Sequence, residues 1–380
     1  MRAVAALLPL ALLTVAACSG DDDGGSAGTG AGGADLATIA GGLASLPETG
    51  EPQERIVWGD VERATEVGGL DRPTEPGEAA VDYLRALTAG PAGDAGDAGD
   101  DRPVGLVTPE AAHVDRAPDQ AELEDELGWS ILDVDRFVER QTPPGVVTVL
   151  DGSFDESALT DALGEPDDDT WTAGTGEDFA QDLDEVSAAR PIGESLWLGL
   201  DGDRLSVARS SGDSAAVRRA VGGSGGTPTV ADDEALAAVA RVLDAETPYA
   251  ALLVRPGLSG VPERSATPSA LEAACEQALP AAASAVGTAV ADDDGPVFVL
   301  AFAHESPEAA EANAEALERI ATEGSSYATN RPWSDLVSLD GVDVADDGRT
   351  VVARLRPREA GNAMLWYQIV LQQDSLVSSC

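Results

Sequence analysis

The sequence predicts an α+β fold in which two similar β-α-β-β-α units with mainly antiparallel sheets follow a mostly helical N-terminal segment. Short apolar strands alternate with short helices. Two strand pairs turn at Asp-Gly dipeptides, which favour tight antiparallel hairpins. The same order of elements recurs at residues 146–222 and 296–372, which indicates a structural duplication. These features favour α+β layers over a doubly wound parallel sheet.

The segment 35–145 is predicted to be mostly helical. Its predicted helices cover residues 36–46, 78–87 and 119–138, the last broken near Gly128, and its single predicted strand covers residues 55–60. The run Pro143-Pro144-Gly145 then marks a boundary.

The first unit, within a predicted domain 146–255, begins with an apolar strand at residues 146–150. A helix at 155–163 ends at Gly164, a hairpin at 196–209 turns at Asp201-Gly202-Asp203, and a capped helix at 213–221 ends at Gly222. Another strand is predicted at 249–254. The helices and the hairpin follow from local turn or capping signals, and the strand at 146–150 follows from its apolar run.

The second unit, within a predicted domain 256–380, follows an alanine-rich helix at 271–279. Its strand covers residues 297–303, and Ser306-Pro307-Glu308 starts a helix that ends at Gly324. A hairpin at 342–355 turns at Asp346-Asp347-Gly348, and a last helix covers 360–371.

The N-terminus carries an export signal. Arg2 precedes an apolar run, and the run ends in Leu13-Thr14-Val15-Ala16-Ala17-Cys18, which resembles a bacterial lipobox. The resemblance implies that residues 1–17 are removed as a signal peptide and that Cys18 carries the lipid anchor, with palmitate among its acyl chains. Secretory cleavage after Ala17 is the alternative. Residues 18–34, rich in Gly and Asp, form a flexible tether.

Charge and composition restrict the partners. The chain has 69 acidic and 23 basic residues, a net charge of −46, and all its cations are arginine. The acidic excess excludes nucleic acid and polybasic docking to anionic lipids as partners, and it reflects either function or adaptation to salt. The absence of lysine is typical of a GC-rich genome and, with the lipobox, predicts an actinobacterial envelope protein. The body resembles uncharacterised α+β extracytoplasmic lipoproteins, a resemblance that transfers no site.

Three cysteines are present. If Cys18 is acylated, Cys275 and Cys380 remain, and in an oxidising compartment we expect them to form a disulfide. Two unpaired thiols are the alternative, because a terminal residue often frays.

Catalytic and metal-binding signals are weak, and we predict no cofactor and no catalytic residue. His113 and His304 are the only histidines, which leaves little material for a catalytic triad or a zinc site. The aspartate runs at 167–169, 292–294 and 346–347 lack the spacing of a calcium loop and are better explained as turn residues.

One ligand site is predicted. Trp333 lies two residues after Arg331, and a flat aromatic ring beside a guanidinium group can bind a glycan or an anionic ligand. Packing of Trp333 at the edge of an element is the alternative.

The sequence therefore predicts a lipid-anchored protein on the extracytoplasmic face of the cell membrane. We expect a non-enzymatic ligand-binding or carrier module for an apolar or glycan ligand. A structural scaffold for envelope proteins is the alternative, and a carboxylate-dependent hydrolase is a more distant one. A large internal cavity would favour the carrier, a continuous core the scaffold, and converging carboxylates in a cleft the hydrolase.

Overall fold

A computed structural model describes residues 34–49, 54–88, 104–112, 120–142, 145–175, 182–209, 228–255, 275, 277–292, 294–358 and 363–379. All of them belong to one compact unit, Gly33–Cys380. Its helices are α1 Ile39–Ser45, α2 Val61–Gly68, α3 Glu78–Thr88, α4 Gln120–Leu127, α5 Glu156–Leu163, α6 Glu234–Asp244, α7 Pro307–Glu323, α8 Trp333–Leu336 and α9 Leu365–Leu371.

The described strands form one sheet of eleven strands, and every neighbouring pair is antiparallel. They are β1 Arg55–Asp60, β2 Val134–Thr142, β3 Gly145–Gly152, β4 Trp171–Ala173, β5 Leu196–Asp201, β6 Arg204–Arg209, β7 Ala250–Val254, β8 Ala285–Asp292, β9 Pro296–Ala303, β10 Val337–Val344 and β11 Thr350–Pro357. Their order across the sheet is β10-β11-β9-β8-β7-β1-β2-β3-β6-β5-β4. The predicted α+β class with antiparallel pairing is confirmed.

Both faces of the sheet are covered, because alternate residues of each strand point to opposite sides. Val57 and Phe137 belong to one hydrophobic cluster, whereas their neighbours Trp58 and Val138 belong to a second. Helices α2–α5 and α7–α9 pack into the first cluster, on a side that we call the α7 face. Helices α1 and α6 pack into the second, on the α6 face. The body is a three-layer structure with the sheet in the middle.

Local signals located many elements correctly. Asp155 caps α5 through its side chain, and Gly164, with a φ of 86°, ends that helix. The hairpin of β5 and β6 turns at Gly202, whose φ is 61°. Ser306 caps α7, with Pro307 in its first turn.

The N-terminal segment contributes two strands as well as α1–α4. The helix predicted over residues 119–138 is wrong for its second half, because α4 ends at Leu127 and β2 begins at Val134. Gly128 lies between them with a φ of 77°, and a Cβ there would come within 2.5 Å of the Ala158 carbonyl oxygen. Strand β2 lies between β1 and β3 and has a run of four buried residues, so it lacks the alternation that identifies a strand from sequence.

Five further elements were not predicted, namely α2, α6, α8, β4 and β8, and two of them, α6 and β8, lie close to each other. Leu236, Val239, Ala240 and Leu243 follow helical spacing after the capping residue Asp233, so the signal for α6 was present. Strand β8 is rich in alanine and glycine, which strands disfavour. Gly287 in β8 allows α6 to approach closely, because a Cβ there would lie 2.4 Å from Val239 Cγ1.

The two predicted units place their strands alike. Strand β6 lies between β3 and β5, and β11 lies between β9 and β10. Helix α5 follows β3, and α7 follows β9. The predicted helix at 213–221 lies outside the described residues, and so do residues 271–274 and 276 of the helix predicted at 271–279. That helix is wrong for residues 277–279, which form a turn that leads to the bridge between Leu279 and Ser379.

Candidate functional site

The predicted ligand residues do not form an open aromatic platform. Trp333 is 0% exposed, lies at the start of α8 and belongs to the hydrophobic cluster of the α7 face. Its indole Nε1 donates to Ser375 Oγ at 2.8 Å. Arg331 is exposed, two residues away. The geometry corresponds to the packing alternative, and Trp333 presents no open ring face to a ligand in this structure.

The cysteines are described only in part. Cys275 is disulfide-bonded. Cys18 and Cys380 lie outside the described residues, and so does His113. Ser379 forms a parallel bridge with Leu279, and the Leu279 N–H donates to the Ser378 carbonyl at 2.8 Å. The C-terminal segment therefore lies beside the chain just after Cys275.

A groove of about 640 Å³ runs along α6 on the α6 face of the sheet. Four separate segments line it: α6 with the residues just before it, Ser284 just before β8, the chain around the end of β9, and the turn that joins β10 to β11. Its surface combines small side chains with charged ones. Helix α6 and the residues just before it contribute Ala231, Asp232, Glu234, Ala235, Ala238 and Arg241 to the lining. The other segments contribute Ser284, Ala303, His304, Glu305, Asp347, Arg349 and Thr350.

Two of the acidic residues in the groove are engaged by nearby backbone groups. Asp232 Oδ2 accepts from the Thr229 N–H at 2.7 Å. Asp347 accepts from the N–H groups of Arg349 and Thr350 and from the Thr350 hydroxyl. Burial acts to raise the pKa of Asp347, but these hydrogen bonds and the charge of Arg241 lower it overall. Asp347 is therefore a turn residue, as the sequence predicted for that run.

His304 is a packed, neutral residue at the edge of the groove. Only 4% of it is exposed, and its Nε2 lies 3.3 Å from the Asn313 amide nitrogen. That amide is oriented by its paired hydrogen bonds with the Ala281 backbone, so Nε2 must be the acceptor and the proton resides on Nδ1. Burial lowers the pKa of His304, against an opposing contribution from the Ala282 carbonyl. His304 thus shapes the groove rather than acting as an exposed base.

A second polar cluster lies inside the α7 face around Glu139, which is 1% exposed. Its Oε2 accepts from the Glu110 N–H and the Thr148 hydroxyl, both at 2.8 Å, and its Oε1 accepts from Gln141 Nε2 at 2.9 Å. Burial raises the pKa of Glu139 to about 7; the Gln141 hydrogen bond opposes this shift and the charge of Glu110 adds to it. A carboxylate with such a pKa suits acid–base chemistry, but both oxygens are engaged inside the protein.

A buried ion network joins the two halves of the sheet. The Arg255 guanidinium donates to Glu54, Asp233 and Glu48, each at 2.8 Å. Glu54, which directly precedes β1, is 0% exposed, and Arg140 on β2 lies 3.8 Å from it. Asp233 also caps α6. The network holds the end of β7, the start of β1 and the start of α6 together, which is a structural role.

The aspartate runs lie in turns. Asp168 and Asp169 adopt left-handed backbone conformations, and Asp292 Oδ1 accepts the Gly295 N–H at 2.9 Å. Within the described residues, no cluster of three or more His, Cys, Asp or Glu side chains could hold a metal ion. No helix in that part of the chain is long and apolar enough to cross a membrane.

No protein-family model, no curated protein and no solved structure matches this chain. A binding role of the groove along α6 is therefore inferred from the geometry and the lining residues of the groove. This groove was not predicted from the sequence because its lining comes from four segments that are distant in the chain, and because α6 itself was not predicted.

Proposed function

We propose that this protein is a lipid-anchored, non-enzymatic binding protein on the extracytoplasmic face of a bacterial cell membrane. The lipobox that ends at Cys18, the Gly- and Asp-rich tether after it, and the acidic body support the location. The observation that carries the binding role is the groove along α6, whose volume lies within the range of roughly 300–1,000 Å³ of small-molecule sites.

The groove favours a polar ligand at the surface over an apolar ligand in an enclosed cavity. Large apolar side chains such as Trp58, Phe137 and Phe298 are buried in the clusters on the two faces of the sheet. The groove instead borders the α6-face cluster only through small residues such as Ala235 and Ala303, and it carries arginine, aspartate and glutamate side chains. A carrier for a lipid-like molecule would need a continuous apolar lining.

Native mass spectrometry tests the binding role. The mature chain is purified from its host envelope in mild detergent, and its mass is compared with that of the denatured sample. We expect a discrete additional mass that disappears on denaturation. A bare chain mass from several independent preparations would contradict a ligand-binding role and favour the scaffold.

The anchor is tested by a Cys18→Ser variant. We expect the wild-type chain in the membrane fraction, with an N-terminal diacylglyceryl cysteine in its mass spectrum, and the variant released from the membrane. At roughly 0.8 kcal/mol per buried methylene, two acyl chains hold stably, so the difference should be large. Equal membrane association of both proteins would contradict the anchor; Ser19→Ala serves as the matched control.

We also propose that Cys275 pairs with Cys380. The support is the bridge between Leu279 and Ser379, which brings the end of the chain beside the segment that follows Cys275. Non-reducing peptide mapping tests it. A Cys275–Cys380 cross-linked peptide is the expected product, and a Cys18–Cys275 peptide would contradict both this pairing and the acylation of Cys18.

The body is proposed to be a structural duplication. The order β3-α5-β5-β6 matches β9-α7-β10-β11, and the pairings of these strands match as well. In an experimental structure, superposing the two sets of strands should align the pair Asp151–Arg204 with Ala303–Thr350, since each is the last pair of its ladder. A superposition that requires a shifted register would contradict the duplication.

A scaffold for envelope proteins is the second candidate, and one observation favours it. Leu183, Val186 and Ile192 are 71%, 49% and 48% exposed, and they lie in one loop whose ends meet through the hydrogen bond from the Asp182 N–H to the Gly193 carbonyl. Cross-linking in the envelope with a photoreactive residue at position 186 tests it. A specific adduct that disappears in a Leu183→Ser/Ile192→Ser variant would support the scaffold.

A further inference from the structure

The groove along α6 exists because small residues occupy one edge of the sheet. On the α6 face, the last pair between β9 and β11 is Ala303 with Thr350. The corresponding last pair between β3 and β6 is Asp151 with Arg204, which form an ion pair at 2.8 Å. Arg204 also donates to the Ala34 carbonyl just before α1.

These two positions differ in side-chain volume and in charge. In the first half of the sheet, long charged side chains span the space between the strand ends and the segment before α1. In the second half, Ala303 and Thr350 leave the corresponding space beside α6 open, and Ala235 and Ala238 on α6 do not fill it. The groove is thus a specific difference between two similarly connected halves.

Two arginines in the groove differ from most other described arginines because their guanidinium groups have no hydrogen-bonded or ion-paired partner among the described residues. Most arginines of the described residues pair with Asp or Glu. Within those same ranges, the guanidinium groups of Arg241 and Arg349 make no hydrogen bond and no ion pair within 4.0 Å. Asp244, the acidic residue nearest to Arg241 in sequence, accepts from the Ile39 and Ala40 N–H groups, and Asp347, the one nearest to Arg349, accepts from backbone N–H groups and the Thr350 hydroxyl.

The remaining charges restrict what these arginines can bind. Guanidinium groups recognise carboxylate and phosphate through paired hydrogen bonds. Asp232, Glu234, Glu305 and Asp347 also line the groove, and together with the net charge of −46 their carboxylates repel a polyanion. A compact ligand whose one or two anionic groups contact the arginines meets both conditions.

We infer that the groove along α6 binds a small organic anion through Arg241 and Arg349, with a carboxylate or phosphate group as the recognised element. This inference deepens the proposed function, since it names the ligand class of the same groove. Ala235, Ala238 and Ala303 would contact the uncharged part of the ligand, and His304 supports the wall.

Ligand-observed NMR on the full chain tests the inference with three probes: inorganic phosphate, D-glucuronate and uncharged D-glucose. We expect phosphorus line broadening for phosphate or saturation transfer for glucuronate, and neither effect for glucose. A stronger response to phosphate indicates a phosphorylated ligand, and a stronger response to glucuronate indicates a carboxylate ligand. No response to either anion overturns the inference.

The residues are tested with an Arg241→Gln/Arg349→Gln variant and a matched control, Arg319→Gln. Arg319 is an exposed arginine on α7, outside the groove. Loss of two charge-assisted hydrogen bonds should weaken anion binding by more than about tenfold. The control should bind as the wild type does. Equal binding by all three proteins overturns the assignment to this groove.

Arginine-selective labelling with phenylglyoxal gives a readout that does not need a variant. Bound anion should protect Arg241 and Arg349 from modification and leave Arg319 reactive. Equal modification of the three with and without a bound anion overturns the inference. A neutral molecule that accompanies the protein in native mass spectrometry would overturn the inference and leave the proposed binding role standing.

Discussion

Substitution of Glu139 by glutamine should remove a pH dependence of stability that this buried carboxylate introduces. Burial raises its pKa from an ordinary value of 4.5 to about 7, so the folded protein holds one more proton than the unfolded chain between these two pH values. Stability from this group is therefore complete below pH 4.5 and is lost as the pH rises through 7.

The size of the effect follows from the shift. A change from 4.5 to about 7 corresponds to about 3 kcal/mol of unfolding free energy, at about 1.36 kcal/mol per unit. Glutamine has nearly the same shape and stays uncharged. Its oxygen can accept from the Glu110 N–H and from Thr148, and Gln141 can rotate its amide to accept from the new NH₂ group.

The assay is urea unfolding monitored by tryptophan fluorescence at several pH values from 5 to 8. The difference in unfolding free energy, variant minus wild type, should rise by about 2.5 kcal/mol across this range, because part of the full change takes place below pH 5. The contributions of other titrating groups to stability are the same in both proteins and therefore cancel in this difference. One of them is His304, whose lowered pKa makes the protein less stable as the pH falls below 6.5. Glu122→Gln, an exposed substitution on α4, is the control and should give a flat difference. A flat difference for Glu139→Gln as well would refute the reasoning.

Three further substitutions probe packing and pairing, each measured by urea unfolding. Gly287→Ala should lower the unfolding free energy by about 1–3 kcal/mol, because the methyl group of the new alanine overlaps Val239 on α6. An unchanged midpoint would show that α6 can move away. Arg255→Gln should lower the unfolding free energy by about 3–5 kcal/mol, because it leaves the buried Glu54 carboxylate without its closest cation. The double variant Arg255→Gln/Glu54→Gln should recover part of this loss, and no recovery would contradict the role of the ion pair. Trp333→Phe should cost about 1–3 kcal/mol, because it creates a gap and deprives Ser375 of a donor; a neutral result would mean that the indole is not packed as described.

Elements with local signals could be predicted from the sequence, and elements that depend on distant partners could not. The helix capped at Asp155 and ended at Gly164, and the hairpin that turns at Gly202, depend on neighbouring residues. The first half of β2, up to Val138, was predicted as helix. The strand has a run of buried residues without alternation because both faces of the sheet are covered there. Helix α6 had a readable signal, and its omission hid the groove that it forms.

The candidate site shows the same division. Arg331 and Trp333 were selected because they are neighbours in sequence, and the structure buries the indole. Arg241 and Arg349 are more than a hundred positions apart in the chain, and the sheet brings them to one groove. Sequence spacing cannot show which arginines lack an acidic partner, because that depends on the pairing of all the others.

The sequence by itself determined the α+β class, the antiparallel hairpins, the ends of α5 and α7 and a predicted lipid anchor at Cys18, since these follow from the backbone preferences and side-chain chemistry of adjacent residues. The tertiary structure alone decided that the strands join into a single sheet, with β1 beside β7 in its middle. It also decided that Glu139 is buried and that a groove opens beside α6. The physical reason is that burial, desolvation and the pairing of charges are set by contacts between residues distant in the chain.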